Sequence, residues 1–180
     1  KQLKVVTKDE NIVLCGSSLI NIDSNNKYIS KFQYPTDNNR LLYRLFHGKP
    51  FFPHSSAFFL RVSAIKVGGY RSNIARAQDW DLWIRMSNQG KIYCMRDYLT
   101  YIRVHSKQAT FISSEDQLLF SKLAIVSFIV TNKYKSKDPM TNFYKFKNWI
   151  NYSNQYQSLL NNKTYIKNFK IKFLNKNKLQ

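Results

Sequence analysis

An α/β layered domain is what this sequence predicts, and three observations carry that expectation. Blocks rich in β-branched residues alternate with blocks whose apolar residues recur at helical spacing, and Gly, Asn and Pro punctuate the joins. At 180 residues the chain is one domain's worth of sequence, and 13 Phe and 12 Tyr supply large apolar groups for a core.

Residues 1 to 8 read as the end of a helix. NIVLCGSSLINID (Asn11 to Asp23) follows as a β-branched run, Asn25-Asn26 as a turn and KYIS as a second strand. TDNNRLLYRLFHGKP opens on polar capping residues, carries Leu41, Leu42, Leu45 and Phe46 at helical spacing, and stops at Gly48 and Pro50. That predicts a helix of about three turns, with His47 as its C-terminal residue. PHSSAFFLRVSAIKVGGYR gives a short strand from Ser56 to Leu60, a helical turn through Ile65, and a left-handed stop at Gly68-Gly69.

A further helix is expected from Gln78 to Asn88, closed by Gly90. KIYCM and YLTYIRVH read as two strands. Alternation along the second puts Leu99, Tyr101, Arg103 and His105 on one face, and Tyr98, Thr100, Ile102 and Val104 on the other. From Glu115 the pattern turns helical through Leu118, Leu119, Leu123 and Val126, and again from Thr141 to Leu160. Ile166, Phe169 and Phe173 among lysines permit an amphipathic surface helix beyond Asn161. There is no repeat of fixed period and no Gly-rich phosphate loop.

One helix poses a question. In ARAQDWDLWIRM (Ala75 to Met86), at about 100° per residue, Leu82, Trp83 and Met86 fall within about 60° of Asp79, so a carboxylate shares the apolar face. Asp81 and Arg85 stand four apart on the other side, as an expected solvent-facing pair. Asp79 has two readings. It is a first-turn acid meeting unpaired N–H groups and the positive end of the helix dipole, or a general base at the rim of a cleft.

The net charge of +19 would suit nucleic acid, anionic lipid or a phosphorylated substrate. Its distribution is uneven, because eleven lysines and a single acid, Asp138, follow Val130. That tail reads as solvated, with attraction to an anionic membrane surface as the next reading. Cys15 and Cys94 lack C-x-x-C spacing, so both are expected to be buried strand thiols in a reducing compartment. The longest apolar stretch, Leu118 to Val130, contains Lys122 and is shorter than the ~20 residues of a spanning helix. With no signal-peptide pattern at its start, the chain is expected to be cytoplasmic.

Taken together, HSSAFFLRVSAIKVGGYR, AQDWDLWIRMSNQGKIYCM and YLTYIRVHSKQAT resemble the second half of a family 2 glycosyltransferase of the GT-A fold. The resemblance runs from about Leu3 to Thr110, with its three blocks in the family's order. It implies that residues 1–110 are the acceptor-side portion of a GT-A domain and residues 111–180 a helical, Lys-rich extension. It implies transfer of a sugar, with inversion, from a nucleotide-sugar donor to a hydroxyl of a glycan or lipid-linked acceptor, in the synthesis of surface polysaccharide or glycolipid at the inner membrane face.

By position, AQDWDLW resembles the family's Glu-Asp or Gln-Asp block, which makes Asp79 the acceptor-activating base and Gln78 its neighbour at the substrate. YIRVH resembles the Tyr-Arg-x-His block, which makes His105 a candidate metal or diphosphate contact and Arg103 a support for phosphate charge. His54, Tyr70, Arg71 and Trp80 are further candidate substrate contacts, Trp80 through its ring face and Trp83 instead as a core residue. The resemblance also implies a divalent cation, Mg²⁺ or Mn²⁺, acting on the departing diphosphate. The family's nucleotide-binding half and Asp-x-Asp motif are expected ahead of Lys1, so the chain as given is expected to lack most of the donor site and to be inactive alone. The rival readings are a basic nucleic-acid-binding module, against which the tail clustering and the absence of a recognition motif speak, and a non-catalytic interaction partner.

Overall fold

A computed structural model of the chain describes residues 1–105, 108, 114–133, 138 and 140. The chain divides into two units, Lys1–Ile125 and Val126–Gln180.

The first unit is a mixed α/β structure built on a four-stranded open sheet. Its elements are α1 (Gln2–Val6), β1 (Ile12–Ile22), β2 (Tyr28–Phe32), α2 (Asn38–Phe46), a 3₁₀ turn (His54–Ser56), β3 (Phe58–Phe59), α3 (Arg61–Lys66), α4 (Gln78–Met86) and β4 (Lys91–Arg103), followed by α5 (Ser114–Lys133), which begins in this unit. β1 is the central strand. β4 lies parallel to it along one edge, while β3 and β2 pair antiparallel with its other edge, at Leu14-Cys15 and at Leu19–Ile22 respectively. Its first eight residues are all buried, so strand alternation disappears where both edges and both faces are occupied.

The two faces are filled differently. Val5 and Val6 of α1 pack on Ile12, Cys15, Tyr93 and Met95, and the Gln2 amide donates to the carbonyls of Cys15 and Ser56 at 3.2 and 2.7 Å. On the other face Gly16 leaves room for an aromatic ring, since a Cβ there would stand 2.2 Å from the Phe52 ring. Phe52 in turn meets Phe51 and Trp83, with centroids 4.2 and 5.2 Å away. Leu41, Leu45, Leu82, Ile84, Met86 and Ile92 are all at most 1% exposed, each contributing roughly 1.5–3 kcal/mol of burial.

Local chemistry sets the ends of these elements. Asp37 caps α2 by accepting from the Arg40 N–H at 2.9 Å. Gly48, at φ 61°, turns the chain so that the Lys49 N–H reaches the Arg44 carbonyl at 2.9 Å, which closes the helix as a Schellman motif does. The Asn25-Asn26 turn joins β1 to β2 as expected, and Gly68-Gly69 both adopt positive φ after α3.

Three expectations are corrected. The strand from Ser56 to Leu60 is only Phe58–Phe59, because the Ser56 hydroxyl and N–H both donate to the Pro53 carbonyl, at 2.9 Å each, and curl the preceding residues into the 3₁₀ turn. The two strands expected around Asp97 are one, β4: the pairing steps from Ser17–Met95 to Ser18–Tyr98, so Arg96 and Asp97 bulge without ending the ladder. Beyond the bulge the expected alternation is present, with Leu99, Tyr101, Arg103 and His105 exposed and Tyr98, Thr100, Ile102 and Val104 half-buried. Finally, α4 stops at Met86, where Ser87 caps it by donating its hydroxyl to the Ile84 carbonyl at 2.7 Å.

In the second unit, Phe128 and Ile129 of α5 are buried, and the Ser127 hydroxyl and the Met140 N–H both donate to Asp138, at 2.6 and 2.9 Å. Among the described residues no helix is long and apolar enough to cross a membrane. The helices expected from Thr141 to Leu160 and beyond Asn161, and most of the lysine tail, lie outside the described residues.

Candidate active site

The cleft is assembled where α4 begins. Ala77, the residue before its first turn, adopts a left-handed backbone at φ 52° and ψ 36°, a conformation that costs a non-glycine residue roughly 1–2 kcal/mol. That bend delivers Gln78, Asp79 and Trp80 to the wall of an open cleft of about 990 Å³. Asp79 is half-buried and its Oδ1 accepts from the Trp80 N–H at 2.8 Å, so it meets one of the N–H groups that the first turn leaves unpaired. The carboxylate therefore stabilises the helix start and also faces the hollow.

Opposite stand residues from the segment between α2 and β3. Phe51 and Phe52 form an aromatic floor with Trp80 and Trp83, and His54 lies edge-on to Trp83 at 5.9 Å. Trp80 is anchored by its indole N–H to the Leu45 carbonyl at 3.1 Å, which ties α4 to α2. Trp83 is 1% exposed, a core residue as expected, yet its Nε1 is buried without a hydrogen-bond partner. His54 Nε2 is 2.8 Å from the Tyr70 hydroxyl. The Tyr70 phenol is held above its ordinary range by burial first and by the negative charge of Asp79 second. His54 and Asp79 thus both line the cleft, whereas Tyr70, bonded to His54, is not on its wall.

Asp81 corrects the expectation of a solvent-facing pair. It is 2% exposed and bonded to Arg85, with the Arg71 guanidinium 3.5 Å away. Arg85 also donates to the carbonyls of Val67 and Gly69. The loop after α3 covers that side of α4 and brings the second cation, so a wheel drawn for a helix exposed on one side does not apply. Arg71 consequently neutralises Asp81 and is not on the cleft wall.

The remaining candidates lie elsewhere. Arg103 clasps the β1–β2 turn, donating to the carbonyls of Asp23 and Ser24 at 2.7 and 3.1 Å and to Asn26 Oδ1 at 2.8 Å. His105 is exposed, and neither it nor Arg103 lines the cleft. Among the described residues no three His, Cys, Asp or Glu side chains stand together as a metal-ligand set.

Sequence reasoning passed over Phe51 and Phe52. Their signal was present, a pair of aromatics between Pro50 and Pro53 where a surface loop would carry polar residues. Lys49 and Arg76 on the cleft wall carried none. No protein-family model matches the chain, and no curated protein matches it.

Proposed function

We propose that this chain is the acceptor-side portion of an inverting glycosyltransferase of family 2 and the GT-A fold, with Asp79 as the base. The observation that carries the reading is the contrast between two carboxylates on one helix. Asp81 is buried and neutralised by arginines, whereas Asp79, two residues earlier, is half-buried on the wall of a large cleft that His54 and Trp80 also line.

A sugar hydroxyl is a weak nucleophile, so its attack requires a base within ~2.6–3.2 Å to remove the proton. In the proposed reaction the acceptor oxygen attacks the anomeric carbon of the nucleotide-sugar as its proton passes to Asp79, and the bond to the diphosphate breaks on the opposite face. The aromatic floor offers a surface on which a sugar ring can lie, and Gln78 a hydrogen-bonding amide. The divalent cation belongs to the same proposal. So does location at the cytoplasmic face of a membrane, where the lysine-rich tail would draw the enzyme to anionic lipid and a lipid-linked acceptor.

The test is Asp79→Asn in the complete protein as encoded. Transfer should fall by at least about a hundredfold, the general-base contribution, while nucleotide-sugar binding measured by calorimetry stays within about twofold, because the base acts on the acceptor and not on the donor. Near-normal turnover by that variant would sink the assignment.

A further inference from the structure

Beside the cleft lies a second hollow, of about 370 Å³, lined by Pro35, Arg40, Tyr43, Arg44, Lys49 and Pro50. It shares Lys49 and Pro50 with the cleft wall, so the two openings adjoin. Three of its six lining residues are cations, and among the described residues the carboxylate paired with them is Asp37, 3.6 Å from Arg40 on an exposed side.

The hollow is built by the backbone. Gly48 turns the chain and the Lys49 N–H bonds back to the Arg44 carbonyl, placing Lys49 over the last turn of α2. Arg44 is fixed by a bond from Nη1 to the Pro50 carbonyl, and a guanidinium has further N–H donors to offer. Arg40 follows one turn before Arg44 on the same helix. Pro35, Tyr43 and Pro50 complete the lining between the cations. A fixed Arg44 flanked by the exposed Arg40 and Lys49 suits a phosphate or diphosphate group.

We infer that this hollow binds the diphosphate group of a substrate whose reacting end lies in the Asp79 cleft. Anion binding here is independent of the chemistry proposed above; its assignment to a substrate of glycosyl transfer rests on that reading.

The probe is inorganic pyrophosphate, followed by phosphorus NMR on the full chain. The variant is Arg40→Gln with Lys49→Gln, two exposed side chains whose loss leaves the core intact; circular dichroism checks the fold. A charge-matched control removes Lys170 and Lys172 from the tail, both as Lys→Gln. The hollow variant should bind pyrophosphate about tenfold more weakly, as expected for two lost charge-assisted contacts, and the tail control within about twofold of wild type. Displacement of pyrophosphate by farnesyl diphosphate would assign the group to a lipid-linked acceptor, and displacement by uridine diphosphate alone would assign it to the donor; either supports the site. Equal weakening in both variants, or none in the hollow variant, would overturn it. Asp79→Asn should leave this binding unweakened, so loss of transfer and loss of anion binding report separately.

Discussion

His54 Nε2 and the Tyr70 hydroxyl meet at 2.8 Å across sixteen residues of chain, and the negative charge of Asp79 helps to hold the phenol above its ordinary range. Tyr70 therefore reports on the charge of Asp79. Neutralising that charge by Asp79→Asn removes the second cause of the raised phenol value, so the Tyr70 titration should move down but stay above the ordinary tyrosine range, because burial, the larger cause, persists. A tyrosinate absorbance titration, with Tyr70→Phe subtracted to isolate this phenol from the other tyrosines, makes the measurement. No downward movement would mean that the two groups are not coupled.

Asp81 and Asp79 should part company in stability. Asp81→Asn leaves Arg71 and Arg85 without their buried counter-charge, and breaking such a pair costs roughly 3–5 kcal/mol. Asp79→Asn loses only a first-turn charge, about 0.3–1 kcal/mol. Urea denaturation of both variants should give midpoints well apart, with Asp81→Asn the weaker.

Gly16→Ala is expected to destabilise by roughly 1–3 kcal/mol, since its methyl group would stand inside the Phe52 ring. Phe52→Leu in the same chain should recover part of that loss. A double-mutant cycle with no coupling would mean that the ring does not lie against the glycine.

Burial pushes the Cys15 thiol to about 11 and the Cys94 thiol to about 12. Both values exceed that of an unfolded thiol, so the associated stability is complete below about pH 8.5 and is lost as pH rises towards 11 and 12. Between those limits, wild type should lose several kcal/mol more than the Cys15→Ala, Cys94→Ala variant, at about 1.4 kcal/mol per unit by which each thiol is raised. Neither thiol should react with iodoacetamide in the folded protein at neutral pH.

Much of the architecture was legible where a local rule dictated it. Asp37 and Gly48 bracket α2, the Asn25-Asn26 turn sets the hairpin, and Gly68-Gly69 end α3. Legibility failed where distant chain intervened. The burial of Asp81 depends on Arg71 and on carbonyls of the loop after α3, and no wheel of α4 contains them. Continuity of β4 depends on β1 holding the ladder through a bulge, although its two halves carry separate periodic patterns. At the cleft, the inward lean of Asp79 could be read from helical spacing, whereas the capture of Arg103 by the β1–β2 turn could not, because the carbonyls that hold it lie some eighty residues earlier.

Ala77 holds its backbone in a twist that glycine would adopt without penalty. Any change that lets this one residue unwind would swing Gln78 and Asp79 together, as a door moves on its pin, and the protein could then become sturdier while its aim at an incoming alcohol grew worse. The neighbourhood of residue 77 is thus the place where thermal hardiness and turnover pull in opposite directions.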